Sequence, residues 1–575
     1  MRILLLTHSF NSLTQRLGVE LQQRSHQVSV EFDVADSVAE EAVALFRPHL
    51  IVAPYLRRAI PESIWSHHVC LIVHPGIIGD RGPSALDWAL QSGETAWGVT
   101  VLQAEAELDA GAIWASALFP LRPTRKSSIY RNEVVQAATT AVLQAVERFA
   151  GGEFAPQPLA AYGAVRGRLR PPMRQADRAI NWQRDDTPTV LRKINAADGF
   201  PGVADALFGV ACHIFDAWPE AVLRGGPGAQ AGDLLARRET AVLRRTSDGA
   251  VWIGQARRAG DIKLPATLAF AVESAALPDE AWRDWWRVAA DTWQDIAYEE
   301  SGGVGFLHFD FYNGAMSTSQ CQRLRSALAW AKQRPVRVLV LMGGADFWSN
   351  GLHLNVIEAA DSPADESWNN INAMNDLALE LIDTGAQITV AALSGDSGAG
   401  GCFLAQAADF VWARDGTMHN PHYKNIGNLY GSEYWTYVLP RRLGEQGVGD
   451  KSRALMRNRQ PLTARCAADA GFIDACLCGD SPGFHAEVAR RAGEIAAASD
   501  FPERLAAKCA RRAQDETEKP LAAYREEELA QMRRNFYGFD PSYHVARHHF
   551  VRKSAAAWTP RHLARHRDLG WVVPP

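Results

Sequence analysis

The chain has 575 residues, of which 47% are hydrophobic and 22% charged, and its 60 basic and 65 acidic side chains give a formal net charge of −5. This composition is typical of globular protein and excludes a disordered chain, a collagen and a small disulfide-stabilised scaffold. It also provides no overall positive charge for DNA or RNA, so a nucleic-acid site would need a local basic patch. At ~150 residues per domain, the length predicts about three or four domains.

The first unit, residues 1–155, alternates apolar strands with helices. The predicted strands cover residues 2–7, 28–32, 50–53 and 69–73, and the predicted helices cover 13–23 and 38–46. This alternation predicts an α/β domain with a parallel sheet. Ligands of such sheets bind beyond the carboxyl ends of the strands, which directs attention to the loops 9–12 and 74–83.

The second unit, residues 156–272, follows a Gly-Gly boundary at 151–152 and has short alternating apolar runs, which predict a small β-rich domain. Residues 273–301 are then predicted as a helical linker. They carry four tryptophans at helical spacing, Trp282, Trp285, Trp286 and Trp293. A helix packed between two domains is the preferred interpretation of this spacing, and an aromatic ligand box is the alternative.

The third unit, residues 302–500, again predicts an α/β fold, with strands at 304–309, 336–342 and 388–393 and long helices at 317–332 and 365–384. Residues 501–575 are charged and predict a helical C-terminal extension. The overall fold class is therefore α/β multidomain: a parallel-sheet domain, a small β domain, and a second α/β domain with a helical tail.

The eight cysteines are widely spaced, and the closest pair, Cys476 and Cys478, lacks the spacing of a zinc ribbon. This usage predicts reduced thiols in the cytoplasm. The apolar run near Met1 is too short for a signal peptide, and no run approaches the ~18 apolar residues of a membrane helix. We therefore expect a soluble, cytoplasmic protein that binds neither membrane nor nucleic acid.

A first candidate site combines His74 with Asp109. His74 begins a loop rich in proline and glycine just after a predicted strand, and Asp109 follows 35 residues later. A histidine titrates near neutral pH, and a facing carboxylate can fix its tautomer and stabilise the imidazolium. Either residue alone would more often be structural.

The segments around these residues resemble the folate-dependent formyltransferases. The matching segments are His74–Pro83, Trp88-Ala89, Gly98-Val99-Thr100 and Asp109-x-Gly111-x-Ile113, followed in the second unit by Arg170-Pro171, Ile194-Asn195 and Phe200-Pro201-Gly202. The resemblance implies that His74 and Asp109 are catalytic and that N10-formyltetrahydrofolate is the formyl donor. It implies folate contacts from Ser9, Asn11, Arg81 and Gly82.

One position departs from that family: Ile72 stands where the family has an asparagine. The amide of that asparagine would polarise the formyl oxygen and stabilise the tetrahedral intermediate. Either another donor replaces it, or the acceptor is easier to attack than an amine.

A second candidate site consists of two glycine-rich turns, at residues 349–352 and 394–402, one after a strand and one at a helix start. Glycine allows a ligand to approach the backbone closely, and a helix N-terminus favours negative charge. Two such amides can form an oxyanion hole for a thioester carbonyl. The alternative is that both segments are only tight turns.

This pair of turns, together with Asn313-Gly314-Ala315-Met316 and Ala408-Asp409, resembles the crotonase (enoyl-CoA hydratase/isomerase) superfamily. The resemblance implies coenzyme A (CoA) as a ligand, the amides of Leu352 and Gly400 as oxyanion donors, and CoA contacts from Gly351 and Gly401.

The two glutamate positions of the hydratases are occupied by Phe403 and by the region of His422, so hydratase activity is not expected. Tyr423 and Glu433 are the candidate proton-transfer residues instead. A glutamate among aromatic residues is desolvated and has a raised pKa. For Glu433, the alternative is a surface carboxylate at a helix start.

The whole arrangement resembles the HypX (HoxX) family of [NiFe]-hydrogenase maturation factors. The resemblance implies a bifunctional enzyme that transfers the formyl group to CoA and then decarbonylates formyl-CoA to carbon monoxide and CoA. Two alternatives remain: a hydrolase that releases formate, and a non-catalytic scaffold that binds folate and CoA. The expected protein partners are hydrogenase maturation proteins or the hydrogenase large subunit.

Two further features concern ligands. Arg131 and Arg547 are candidate ligands of the CoA diphosphate, with ordinary surface arginines as the alternative.

Several histidines lie near the C-terminus, including His544 and His548 one helical turn apart. No nearby cysteine or carboxylate completes a metal site and arginines are interleaved, so no metal is expected.

Overall fold

The computed structural model describes residues 1–223, 228–282 and 284–567. Its first sheet has six strands in the order β2-β1-β3-β4-β5-β6. These are β1 (Arg2–Thr7), β2 (Gln27–Phe32), β3 (Leu50–Tyr55), β4 (Cys70–His74), β5 (Ala96–Gln103) and β6 (Ile113–Pro120). The strands β1 to β4 are parallel, as predicted, whereas β5 and β6 run antiparallel and were not predicted. Alternate residues in the second half of β6 are exposed. This pattern is typical of an antiparallel edge strand with one face in solvent.

Helices cover both faces of this sheet. They are α1 (Ser12–Gln23), α2 (Asp36–Phe46), α3 (Glu62–Trp65), α4 (Ala85–Gln91), α5 (Lys126–Ile129) and α6 (Val135–Gly151), with a π-helical turn at Tyr130–Val134 between the last two. One hydrophobic core joins β1 to α1 and α6 through Leu5, Leu17 and Val142. The predicted helices at 13–23 and 38–46 correspond to α1 and α2.

The middle domain is β-rich, as predicted. Its strands form one antiparallel sheet: β7 (Val203–Leu207), β8 (Val210–Glu220), β9 (Leu234–Arg238), β10 (Ala241–Arg245), β11 (Ala250–Arg258) and β12 (Leu264–Pro265). Its helices are α7 (Thr187–Ala196), α8 (Ala266–Ala269) and α9 (Ala271–Ser274). The prediction of a helical linker at 273–301 is wrong. After α9, the described residues of this segment contain no helix before strand β13 begins at Ile296.

The tryptophans of the linker pack separately along an extended chain. Trp286 lies edge-on to Tyr298, with ring centroids 5.3 Å apart, and Trp293 packs against Trp252 of β11 at 6.3 Å. Backbone bridges from Asp279 to Arg237 and from Trp286 to Tyr298 hold the segment against both neighbouring domains. The helical spacing is therefore coincidental, and an extended segment, not the predicted helix, packs between the two domains.

The third domain has a six-stranded main sheet in the order β13-β14-β16-β19-β21-β24 and a small second sheet in the order β17-β20-β22-β23. The strands are β13 (Ile296–Ser301), β14 (Val304–Phe309), β15 (Ala315–Met316), β16 (Val338–Met342), β17 (Phe347–Ser349), β18 (Gly351–Leu352), β19 (Ile388–Leu393), β20 (Asp396–Gly398), β21 (Phe410–Arg414), β22 (Met418–Asn420), β23 (Leu462–Thr463) and β24 (Ala475–Leu477). All pairs of the main sheet are parallel except β13–β14. The glycine-rich turn at 394–402 follows β19 of the main sheet, and the turn at 349–352 follows β17 of the second sheet.

The helices of the third domain and its extension are α10 (Thr318–Ala331), α11 (Leu354–Ala359), α12 (Pro363–Ile382), α13 (Gly400–Gln406), α14 (Trp435–Arg442), α15 (Asp450–Asn458), α16 (Ala464–Asp469), α17 (Ser481–Ala497), α18 (Phe501–Glu518), α19 (Leu521–Tyr537) and α20 (Ser542–Val551). The last three confirm the predicted helical extension. No helix of the described part of the chain is long and apolar enough to cross a membrane.

The chain after α20 returns to the first domain and covers the edge of its sheet. The amide of Val30 donates to the Leu563 carbonyl at 3.0 Å, and that of Phe32 donates to Thr559 Oγ1 at 2.8 Å. His566 Nε2 lies 2.9 Å from the buried carboxylate of Glu31. The tail thus satisfies the free edge of β2 and ties the two ends of the chain together.

All three domains meet at Arg125, a buried residue at the start of α5. Its guanidinium is 2.7 Å from Asp216 of β8 and 3.4 Å from Asp346, which lies after β16. The Ser128 hydroxyl donates to Asp346 at 2.6 Å. A buried charge with several partners fixes a specific geometry, so this junction sets the positions of the first and third domains relative to each other.

Candidate functional site

The first site is built around the imidazole of His74, the last residue of β4. His74 is 5% exposed, and its Nδ1 lies 3.6 Å from Asp109 Oδ2. Its Nε2 lies 3.2 Å from Asp80 Oδ1. The structure therefore brings His74 and Asp109 together, and it adds a second carboxylate on the opposite side of the ring.

Local backbone geometry places Asp109. It has a left-handed backbone with φ of +55°, and its Oδ2 accepts the amide of Gly82 at 3.2 Å. A Cβ on Gly111 would lie 1.9 Å from the carbonyl oxygen of Gln103. Only glycine fits there, so Gly111 allows the tight turn that brings Asp109 to His74.

Asp80 is a site residue that the sequence analysis missed. It is 2% exposed, and its Oδ2 accepts a hydrogen bond from Arg170 Nε at 3.2 Å. Arg170 belongs to the middle unit, and it reaches this loop because its backbone pairs with Arg81. Both residues stood in the matched segments, but their separation of 90 positions gave no sign of contact.

The residues predicted for folate have local partners. Asn11 Oδ1 accepts the Thr14 amide at 3.0 Å as the N-cap of α1, and its Nδ2 donates to Tyr130 Oη at 3.2 Å. The Ser9 carbonyl accepts the Thr14 hydroxyl at 3.3 Å. Arg81 pairs with Glu107 at 2.5 Å. These contacts order the loops around the strand ends, and the assignment of these residues to folate remains a prediction.

The second site centres on a buried pair, Tyr423 and Glu433. The Tyr423 hydroxyl donates to Glu433 Oε2 at 2.6 Å. Glu433 is 1% exposed, so the alternative of a surface carboxylate is wrong. Burial raises the pKa of Glu433 to about 7, and the Tyr423 hydrogen bond partly opposes that rise. Burial, followed by the charge of Glu433, raises the pKa of Tyr423 well above its usual value, so Tyr423 stays protonated.

The two glycine-rich turns lie side by side next to this pair. A Cβ on Gly351 would lie 3.3 Å from the Gly400 amide nitrogen, and a Cβ on Gly400 would lie 2.2 Å from Glu433 Oε1. Gly400 is the first residue of α13, where the amides have no partner within the helix. A thioester oxygen held there would gain from the positive end of the helix dipole. The Gly351 turn therefore lies against the start of α13, and Gly400 lies against the Glu433 carboxyl.

The hydratase positions hold no carboxylate pair. Phe403 is fully buried and stacks on Tyr423, with ring centroids 5.4 Å apart. His422 is also buried, and burial, aided by the charge of Arg459, lowers its pKa to about 4. Hydration of an enoyl-CoA needs two carboxylates to activate a water, and a neutral histidine and a phenylalanine cannot replace them. The structure therefore agrees with the expectation of no hydratase activity.

The two arginines predicted for CoA differ in environment. Arg131 Nη2 donates to Asn313 Oδ1 at 3.1 Å, and the guanidinium lies 4.6 Å from the Phe347 ring centroid, so it joins the first and third domains. Arg547 is buried and forms an ion pair with Glu358 at 2.8 Å. Arg131 is thus placed beside the Asn313 motif, whereas the charge of Arg547 is already balanced.

The C-terminal histidines have separate partners. His544 Nε2 lies 2.9 Å from the Phe536 carbonyl oxygen, and His548 Nδ1 lies 2.7 Å from Glu358. Over residues 1–223, 228–282 and 284–567, no group of three or more histidine, cysteine, aspartate or glutamate side chains could hold a metal ion.

Comparisons with known proteins match both halves of the chain. The formyl transferase family model matches residues 18–146, and the enoyl-CoA hydratase/isomerase family model matches residues 302–561. The hydrogenase maturation factor HoxX of Bradyrhizobium diazoefficiens is 52% identical over 569 residues, which span 99% of this chain and 97% of that protein. A methionyl-tRNA formyltransferase of Ralstonia nicotianae is 24% identical over 259 residues, 44% of this chain and 77% of that protein.

Solved structures of a related protein match the entire chain. HypX from Aquifex aeolicus in complex with tetrahydrofolic acid superposes with a TM-score of 0.95 at 46% identity, over 100% of both chains. The fold is therefore a formyltransferase-like domain and a crotonase-like domain with a helical tail.

Proposed function

The chain belongs to the HypX/HoxX family of hydrogenase maturation factors, and on that premise we propose that it makes carbon monoxide for the hydrogenase active site in two steps. The formyltransferase-like domain transfers the formyl group of N10-formyltetrahydrofolate to the thiol of CoA. The crotonase-like domain then converts formyl-CoA to carbon monoxide and CoA. The matches to formyl transferase and enoyl-CoA hydratase/isomerase family models support catalytic activity.

His74 and Asp109 carry the first step. The CoA sulfur bonds to the formyl carbon, the bond from that carbon to N10 breaks, and the thiol proton moves to N10 by way of the His74 imidazole. Asp109 orients the ring through Nδ1, and Asp80 faces Nε2. The tetrahydrofolic acid complex of the Aquifex aeolicus protein supports folate as the donor.

The apolar side chain of Ile72 fits a thiol acceptor. Ile72 lies on β4 two residues before His74, where a polarising amide is absent. Because a thiolate is intrinsically more nucleophilic than a neutral amine, transfer to sulfur needs less activation of the formyl oxygen.

Glu433 carries the second step, and its burial beside Gly400 is the observation on which this step depends. The carboxylate takes the formyl proton, the carbon–sulfur bond breaks, carbon monoxide leaves, and the thiolate recovers a proton. Tyr423 remains protonated and holds the Glu433 carboxylate by its 2.6 Å hydrogen bond. The amides of Leu352 and Gly400 polarise the formyl oxygen.

The residues around Gly400 fit a CoA thioester. A Cβ on Gly401 would lie 2.0 Å from the Ser349 carbonyl oxygen, so this turn is too tight for any side chain. Arg131, beside Asn313, is the proposed diphosphate ligand, and Gly351 and Gly401 are the proposed backbone contacts. Arg547 could bind a CoA phosphate only if its ion pair with Glu358 were broken.

We further propose that the two sites open into one cavity, so that formyl-CoA reaches the second site without hydrolysis. Helix α1 joins the two domains that carry them: Asn11 caps its first turn, and Gln15 Oε1 accepts a hydrogen bond from Asn420 Nδ2 at 3.1 Å. A crystal soaked with CoA should place the thiol near His74 or near Leu352 and Gly400. A thiol facing bulk solvent, far from both, would argue against the coupled reaction.

A single assay separates the proposed reaction from its alternatives. The full chain is incubated with N10-formyltetrahydrofolate and CoA, carbon monoxide is trapped by a haem reporter, and formate is measured in the same mixture. Carbon monoxide that requires CoA supports the proposal. Formate alone would support the hydrolase, and neither product would support a scaffold for maturation proteins or the hydrogenase large subunit.

A further inference from the structure

A second buried carboxyl, that of Glu528, lies beneath the turn that carries Glu433. Glu528 belongs to α19 of the C-terminal extension and is 1% exposed. Its Oε1 accepts the amide and the hydroxyl of Thr436 at 2.8 and 2.6 Å. Its Oε2 accepts the Tyr434 amide at 3.0 Å and lies 3.2 Å from the Ser432 hydroxyl. The proposed reaction assigns no role to this residue.

The turn that Glu528 contacts has an unfavourable backbone. Glu433 and Tyr434 both have φ of +59°, in the left-handed region that non-glycine residues rarely occupy. Two consecutive residues of this kind persist only where the surroundings hold them. Glu528 contacts Ser432 on one side of Glu433, and Tyr434 and Thr436 on the other.

Glu528 also supplies the missing cap of α14, the helix that follows the turn. Tyr434 stands at the N-cap position and makes no side-chain capping bond. The amides of Tyr434 and Thr436 donate to Glu528 instead, so a carboxyl from another helix satisfies the start of α14. Oxygen atoms that accept these amide hydrogens are favourable at a helix N-terminus.

We propose that Glu528 is a positioning residue that holds the turn at 432–436 so that the Glu433 carboxyl stays against Tyr423 and Gly400. The inference rests on the proposed role of Glu433. It gives the C-terminal extension a function, since α19 completes a site whose other parts lie in the crotonase-like domain. Asn375 of α12 supports the turn from the other side, because its Oδ1 accepts the Glu433 amide at 2.7 Å.

The titratable groups that face Glu433 are Tyr423 on the preceding loop, Glu528 on α19 and Cys321 on α10. Burial raises the pKa of Glu528 to about 8, and its hydrogen bonds from Thr436 oppose the rise. The hydrogen bond from Tyr423 lowers the pKa of Glu433 below the value that burial alone would give. Displacing the turn lengthens that bond, so the pKa of Glu433 should then rise.

The kinetic test compares Glu528→Gln with Glu526→Gln, an exposed carboxyl on the same helix. Glu528→Gln keeps the size of the side chain but replaces one carboxyl oxygen by an NH2 group. That group cannot accept the hydrogen bonds of the oxygen it replaces, so about half of the contacts with the turn are lost. We expect kcat for carbon monoxide release from formyl-CoA to fall about tenfold to a hundredfold. The KM should change by less than about threefold, because binding uses the amides of α13. A kcat equal to that of Glu526→Gln, or a loss entirely in KM, would overturn the proposal.

A second measurement does not depend on turnover. The Glu433 carboxyl is titrated by ¹³C NMR of protein labelled in its glutamate carboxyls, and its signal is identified by its absence in Glu433→Gln. Because the pKa of Glu528 is about 8, this carboxyl carries little charge near pH 7, so Glu528→Gln acts through the turn and the Glu433 midpoint should move upward from about 7. An unchanged or lower midpoint would contradict positioning by Glu528. If the wild-type protein released no carbon monoxide, this midpoint would still decide the role of Glu528 while the proposed function failed.

Thr436→Val provides a milder variant if Glu528→Gln does not fold. It removes only the hydroxyl bond to Oε1 and keeps the amide bond of residue 436. The Glu433 midpoint should move in the same direction by a smaller amount. A midpoint identical to that of wild type would count against the proposal.

Discussion

The substitution Gly400→Ala tests whether the start of α13 and the Glu433 carboxyl form a single site. The new Cβ would lie 2.2 Å from Glu433 Oε1 and 2.6 Å from its carboxyl carbon, whereas ordinary contacts begin at 3.4 Å. Gly400 is not among the residues with positive φ, so alanine brings no backbone strain. The carboxyl must therefore retreat by about 1 Å, away from the formyl group it would deprotonate.

A displacement of about 1 Å in a reacting group costs about 10²-fold in rate, which corresponds to about 2.7 kcal/mol in the activation barrier. We therefore expect Gly400→Ala to release carbon monoxide about a hundredfold more slowly than wild type. Folate deformylation should continue, because His74 lies in another domain. The assay follows carbon monoxide, formate and tetrahydrofolate in one mixture.

The matched control is Gly493→Ala in α17, where no atom lies within 4 Å of the added Cβ. Alanine is also the better helix former, so this variant should be at least as stable as wild type. If Gly400→Ala and Gly493→Ala released carbon monoxide equally fast, the geometry proposed for the second site would be refuted. Loss of folate turnover together with a lower Tm would indicate damage to the fold instead.

Three further predictions concern the proposed catalytic groups. His74→Ala and Asp109→Asn should abolish folate turnover with unchanged circular dichroism, and near wild-type turnover in either would remove the first site from the proposed reaction. Glu433→Gln and Tyr423→Phe should slow carbon monoxide release by about 10²–10⁴-fold, or 3–5 kcal/mol, while CoA binding measured by calorimetry is kept; wild-type release in both would show that the second step uses other residues. Because the pKa of Glu433 is about 7 and the base must be ionised, kcat for carbon monoxide release should rise as the pH increases through about 7, and a fall over that window would instead assign Glu433 as the acid.

Much of the fold is predictable because hydrophobic periodicity is a local property. The strands β1 to β4 and helices α1 and α2 follow directly from apolar runs and their spacing. The same reasoning failed for the linker at 273–301, where tryptophans at helical spacing such as Trp286 and Trp293 pack on different neighbours, Tyr298 and Trp252. Backbone pairing of that segment with Arg237 and Tyr298 decides its conformation, and such pairing leaves no local signal in the sequence.

The candidate sites also contain some residues that the sequence reveals and others that it does not. His74, Asp109 and the glycine turns at Gly351 and Gly400 are recognisable because each stands in a short motif. Asp80 acquires its role from Arg170 of another domain, and Glu528 reaches the Glu433 turn across 94 to 96 positions. Sequence spacing does not encode contacts that depend on how domains and helices pack.

The central claim is that the carbon of carbon monoxide comes from the formyl group of the folate by way of CoA. The most direct measurement supplies the full chain with ¹³C-formyl-labelled N10-formyltetrahydrofolate and CoA and observes the carbonyl stretch of the trapped gas on a haem reporter. The proposed reaction predicts ¹³CO that appears only when both substrates are present and that falls sharply in Glu433→Gln. Unlabelled gas, labelled gas in the absence of CoA, or label recovered only as formate would contradict it.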